Sequence, residues 1–154
     1  MPENSRIADQ LKRAFYGEAW SGPSVKEVLD GVTPQMAARE VVRGVHSIWE
    51  LVHHIGAWVN IVRRRVNGET FTVTENMNFP PVTDTSVAAW QTSLQSLEEA
   101  EAQLQATILR LPESRLDQPA VPGGDTVYVL LHGAVQHSLY HAGQIALLKK
   151  TLLS

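Results

Sequence analysis

The 154 residues include no cysteine. That absence excludes a disulfide framework, a thiolate zinc site, an iron–sulfur cluster and a cysteine nucleophile, and it leaves His, Asp and Glu as the side chains able to hold a metal. Long apolar runs are missing too. Nothing approaches the ~18 apolar residues of a membrane span, and the opening Met1-Pro-Glu-Asn-Ser-Arg has no apolar signal core, so we expect a cytoplasmic protein with no membrane partner. An excess of positive charge is also absent: 13 Lys and Arg stand against 16 Asp and Glu, for a net charge of −3. No nucleic acid partner is expected from that balance, and the one basic run, Arg63-Arg64-Arg65, reads as the solvated end of a helix. Finally, no stretch alternates apolar and polar residues as a strand would.

What is present is a hydrophobic share of 44% in a chain of one-domain length. A chain of this size can bury about 68–70% of its unfolded surface, so residues 1–154 form a single domain whose core needs no metal to hold it. Any metal is then functional before it is structural. Apolar residues recur at spacings of three and four, which predicts an all-α domain. Ser5 is placed to cap a first helix that carries Ile7, Leu11, Ala14 and Phe15 and runs to near Trp20, where Gly22-Pro23 stops it. Two short connecting helices follow, one from Ser24 to Leu29 and one capped by Thr33 with Pro34 in its first turn. Ser47-Ile-Trp-Glu50 has the form of a capping box and opens a second long helix that reaches Asn67-Gly68. Residues 68 to 85 hold Asn76, Asn78, Pro80 and Pro81 and read as a long crossover. Ser86 to Leu111 is a third long helix, ended by Pro112, and Asp125 or Thr126 caps a fourth that reaches Lys149-Lys150. The expected fold is a four-helix bundle with a long crossover between the second and third long helices.

The histidines sort themselves by angle. At about 100° per residue, Val127, Leu130, Ala134, His141, Ile145 and Leu148 share one arc, His137 lies about 20° aside, and His132 points to the opposite, solvent face. His137 and His141, at i and i+4, have the spacing that lets two imidazoles share one metal ion. The competing reading is a pair of core histidines satisfied by hydrogen bonds. On the second long helix, His54 stands at the border of the apolar arc formed by Ile48, Leu51, Val52, Ile55 and Val59, while His53 points about 150° away from its centre. His54 alone reads as a boundary histidine, but beside His137 and His141 it is the natural third ligand.

Two segments, Ser47-Ile-Trp-Glu-Leu-Val-His-His-Ile-Gly-Ala-Trp58 and His137-Ser-Leu-Tyr-His-Ala-Gly-Gln-Ile145, resemble those of DinB-like proteins. The resemblance extends over nearly the whole chain, through Trp20-Ser-Gly-Pro-Ser24, Leu111-Pro-Glu-Ser-Arg-Leu116 and Thr126-Val-Tyr-Val-Leu-Leu-His-Gly133. It implies a four-helix bundle with one divalent metal held by His54, His137 and His141, and it favours a homodimer. DinB-like proteins include thiol-dependent transferases and isomerases that use glutathione, mycothiol or bacillithiol, while many members have no assigned activity.

Three imidazoles with positions left for water or substrate are the pattern of a catalytic site, and zinc or nickel suits such ligands. The pattern is His-x-x-x-His without the Glu after the first His, so the general base of a zinc peptidase of that type is missing. Around the fourth helix, Gln144 and Tyr140 lie close enough to His137 to orient a ligand, water or substrate, or else are ordinary boundary polar residues. Glu50, one turn before His54, is placed either to accept its second N–H or to serve the capping box alone. Glu101 interrupts the apolar stripe between Leu97 and Leu104, and is either a carboxylate supporting the site or one that snorkels to water at a wetter end of the bundle. Trp58 is positioned to wall the cleft, and Trp20, Trp49 and Trp90 read as core or interface residues. The expected function is a metal-dependent transferase acting on a small electrophile with a low-molecular-weight thiol; a metal-dependent hydrolase of small molecules and a noncatalytic metal-binding or interaction bundle tied to stress are the alternatives.

Overall fold

A computed structural model describes all of residues 1–154. Its helices are α1 (Glu3–Tyr16), α2 (Val25–Leu29), α3 (Pro34–Ala38), α4 (Ile48–Val66), α5 (Glu75–Asn78), α6 (Val87–Arg110) and α7 (Val127–Leu153), with one turn of 3₁₀-helix at Glu113–Arg115. There is no β-strand; an isolated bridge joins Pro119 to Thr126 in the link before α7. No helix is long and apolar enough to cross a membrane.

Side-chain caps set most of the helix starts. Ser24 and Ser47 each close a full capping box, with Glu27 and Glu50, while Thr33, Ser86 and Thr126 each accept the backbone N–H three residues on. The first helix departs from the sequence reading. It opens at Glu3 behind Pro2, whose φ of −56° is already helical, and Ser5 lies inside it rather than capping it. It also ends at Tyr16, earlier than expected, because Gly17 at φ 149° and Glu18 at φ 68° turn the chain through the left-handed region that a helix cannot use. Trp20 is consequently 100% exposed and takes no part in the core. The crossover contains one helical turn, α5, capped by Thr74. At the other end α7 runs one turn beyond Lys149-Lys150, and Lys149 donates to the Asp30 carbonyl at the end of α2.

The four long helices are α1, α4, α6 and α7. α4 packs on α6 and α7, and α1 packs on the same two from the other side, so the consecutive long helices α1 and α4 sit diagonally. The α2–α3 connector spans that diagonal, with α2 against α1 and α7 and α3 against α4. Ile7, Leu11, Ile48, Ile55, Leu104, Ile108, Leu131 and Ile145 form the centre of one continuous apolar core. Trp49 and Trp90 meet edge to face within it, and their indole N–H groups donate to Ser93 Oγ and the Val32 carbonyl. Because α7 is covered by α1, α2 and α4 together, its buried arc is broader than one stripe and centres on Leu131, Ala134, Ser138, His141, Ala142 and Ile145. Leu130 is half-buried in consequence. His132, expected on the solvent face, is half-buried as well, with its Nε2 enclosed and without a hydrogen-bond partner.

Candidate metal centre

The bundle brings His54 of α4 together with His137 and His141 of α7 between the two facing helices. Their candidate ligand nitrogens all lie within 4.8 Å of one another. His137 Nε2 is 3.0 Å from His54 Nε2 and 3.1 Å from His141 Nε2. The rings are not stacked: His141 stands at 89° to His54 and 81° to His137, so the three nitrogens converge from different directions. His54 and His141 are buried and His137 is half-buried.

The outer nitrogens decide what the inner ones present. His54 Nδ1 lies 2.7 Å from the Asn78 carbonyl oxygen, which can only accept, so Nδ1 carries the proton and Nε2 a lone pair. His141 Nδ1 donates to Gln144 Oε1 at 2.6 Å, with the same result for its Nε2. His137 Nε2 can supply at most one N–H to the two lone pairs that face it. A cation at this point satisfies all three nitrogens at once.

Charge points the same way. Burial, together with the repulsion that a protonated His137 would meet from protonated His141 or His54, lowers the His137 pKa to about 4. Burial lowers His54 and His141 as well, although the Asn78 and Gln144 acceptors pull in the opposite direction. All three imidazoles are neutral at neutral pH, the state that metal ligation requires. The donor set is three imidazole nitrogens with no carboxylate in the cluster, which fits a borderline ion such as zinc or nickel and leaves positions for further ligands.

Aromatic groups fix the surroundings. Phe79, on the crossover, stacks on His54 at 4.0 Å and 7°, and its opposite face stacks on His46 at 3.8 Å and 14°. Trp58, one turn after His54, donates through Nε1 to Asn78 Oδ1 at 2.8 Å, and its ring lies 6.0 Å from that of His137. Asn78 therefore holds both a histidine and the tryptophan beside it, one through its backbone and one through its side chain.

The other expected site residues separate. Gln144 lies against His141 as described. Tyr140 stands edge-on to His141 at 5.1 Å and is 66% exposed. Glu50 does not meet His54: its Oε2 accepts from the Ser47 N–H at 2.8 Å in the capping box and lies 3.5 Å from His46 Nδ1. The residue that takes the His54 N–H is Asn78, from the crossover. Glu101 belongs neither to the cluster nor to a wet end of the bundle; it is 0% exposed, and both carboxyl oxygens lack a partner. His53, as expected, turns away, to the Pro80 carbonyl and Ser93 Oγ. Asn78 and Phe79 were missed from sequence because a backbone carbonyl has no residue-type signature, and a single aromatic in a polar crossover shows no periodicity. The Asn and Pro residues that mark the crossover were the available signal.

Four packed helices with a converging histidine triad on the second and fourth define the class of helical bundle that presents imidazole ligands from facing helices. The chain belongs to the DinB superfamily, whose pattern it matches over residues 20–145. Comparison with curated proteins and with solved structures returned no match.

Proposed function

We propose that the protein binds one divalent metal ion, zinc or nickel, through His54, His137 and His141, and acts as a transferase that joins a small electrophile to a low-molecular-weight thiol. The observation that carries the reading is the convergence of three Nε2 atoms, two of them held as lone-pair donors by Asn78 and Gln144, without a fourth protein ligand to close the set. When bound, the ion supplies Lewis acidity that lowers the pKa of a thiol or water brought to it.

The chain's own residues orient and enclose. The Asn78 carbonyl and Gln144 keep the rings of His54 and His141 in one tautomer and orientation, and Phe79 shields one face of His54 from water. A hydrolytic reading needs a base to activate water, and the cluster contains no carboxylate to serve as one, which favours thiol transfer. A homodimer is part of the proposal: α7 is apolar around much of its circumference, yet Tyr140 and Leu147 remain 66% and 69% exposed.

The test is elemental analysis of untagged protein followed by a panel of glutathione, mycothiol and bacillithiol against small electrophiles. About one metal equivalent and thiol-dependent conjugation that His141→Ala abolishes is the expected result. Metal-loaded protein that accelerates no conjugation would overturn it; thiol-independent turnover would point to hydrolysis, and an inert, tightly held ion to a noncatalytic bundle.

A further inference from the structure

Between α4 and α7, beside the histidine cluster, lies a cavity of about 250 Å³. Trp58, Val59 and Val62 line it from α4, and Leu130, Ala134 and His137 line it from α7. Cavities of about 500, 430, 320 and 240 Å³ elsewhere on the molecule include none of the three clustered histidines. This one alone among them joins an apolar wall to the candidate metal centre.

Its chemistry selects what can enter. Apart from His137, the exposed Asp125 and the Trp58 indole N–H, which is already engaged by Asn78 Oδ1, the lining side chains carry no hydrogen-bonding group, so a polar group seated deep inside would lose its water without replacement. An apolar group would gain by leaving water, and the Trp58 ring, fixed by its bond to Asn78 Oδ1 and with the Arg65 guanidinium 6.0 Å from its centroid, contributes aromatic surface to the lining. The volume falls just below the ~300–1,000 Å³ range of sites that enclose drug-sized ligands, which suits a single ring or a short branched chain. Gly133 keeps that space open. It lines the cavity, and a Cβ added there would meet nothing within 4 Å, so a side chain at this position begins in open space beside the cavity and takes up part of its volume.

We propose that this cavity seats an aryl or short branched alkyl group, and that this group is the apolar part of the electrophile, which carries the reacting atom beside His137. The assignment to a substrate rests on the thiol-transfer reading; affinity for the apolar group does not.

The test uses metal-loaded protein and 4-fluorobenzyl alcohol as probe, followed by ¹⁹F NMR. Wild type is expected to bind it saturably, and Gly133→Leu to bind it at least about tenfold more weakly while keeping its metal content. Because the variant can fail to fold, intermolecular NOEs from the probe ring to Trp58 and to the Leu130 and Val62 methyl groups in wild type give an independent readout. Metal-loaded wild type that shows no saturable binding, or binding without those NOEs, overturns the proposal and leaves the metal reading intact. Undiminished affinity in folded Gly133→Leu overturns it too. Binding with the expected NOEs in a protein that takes up no metal would instead sink the metal reading, and with it the substrate assignment, while establishing the apolar site.

Discussion

Two regions of this bundle bury polar side chains, and they do it in opposite ways. In the histidine cluster, His54 and His141 have their outer nitrogens engaged, by the Asn78 carbonyl and Gln144, so that their inner nitrogens converge on His137 as lone pairs. At Glu101 nothing answers the burial: the carboxyl is fully enclosed on α6, neither oxygen has a partner, and its pKa is pushed up to about 8 by desolvation alone. The first region is a donor set that could hold a cation. The second is a neutral acid that the fold tolerates at the expense of stability. Burial of a polar group marks a functional site only when its neighbours fix which atom is left free, and here the partner inventory separates the two cases.

The largest expected effect tests the first region. His137→Ala removes the nitrogen that lies close to both others, and bound metal should fall from about one equivalent to below about a tenth, measured by elemental analysis after dialysis. Full metal retention would mean that the converging nitrogens are core histidines, and the contrast with Glu101 would disappear.

Next comes the second region. The folded-state pKa of Glu101 is raised above the ordinary 4.5, so the folded protein holds a proton that the unfolded chain has already released. The contribution of this one group to stability is full below pH 4.5 and is lost as pH rises through about 8, whereas the three buried histidines, whose pKa values are lowered, destabilise the fold in acid. Glu101→Leu should remove the loss at high pH and exceed wild type at pH 9 by on the order of 3 kcal/mol in urea unfolding. Parallel pH profiles for the two proteins would show that the carboxyl has a partner in solution.

A smaller change sharpens the role of the outer bonds. Gln144→Ala frees the His141 ring without removing a ligand, and metal affinity should drop by about 10–100-fold in a chelator competition. An unaltered affinity would assign Gln144 to the helix surface alone. Smallest is Glu50→Ala, which should lower stability by about 1 kcal/mol through loss of the capping box and leave metal affinity unchanged. A matching loss of affinity would restore Glu50 to the centre, where the structure does not put it.

Much of this was legible in the residue pattern. Thr33, Ser47, Ser86 and Thr126 were readable as helix starts because a cap is a local bargain between one side chain and a backbone N–H three residues away. His137 and His141 were readable as a pair because helical periodicity alone puts i and i+4 on one face. The first helix differs from its residue pattern at both ends: Pro2, rather than Ser5, begins it, and backbone angles at Gly17 and Glu18 end it before Trp20. His132 is enclosed against its angular position on one helix, because the number of neighbours around α7, and hence the width of its buried arc, is a property of the packed bundle.

The order of residues by itself determined an all-helical chain, the caps of most of its helices, the length of each long helix to within a few residues, and a histidine pair on one inward face with His54 at the border of another. Each of these follows from interactions within about one helical turn, which the sequence states directly. Tertiary structure decided that α4 meets α7 so that His54 reaches a pair more than eighty residues away, that the crossover delivers the Asn78 carbonyl and Phe79 to that point, and that Glu101 is sealed without a partner. Those outcomes depend on which helices become neighbours and on backbone atoms that every residue type shares, and neither is written in the spacing of side chains along one helix.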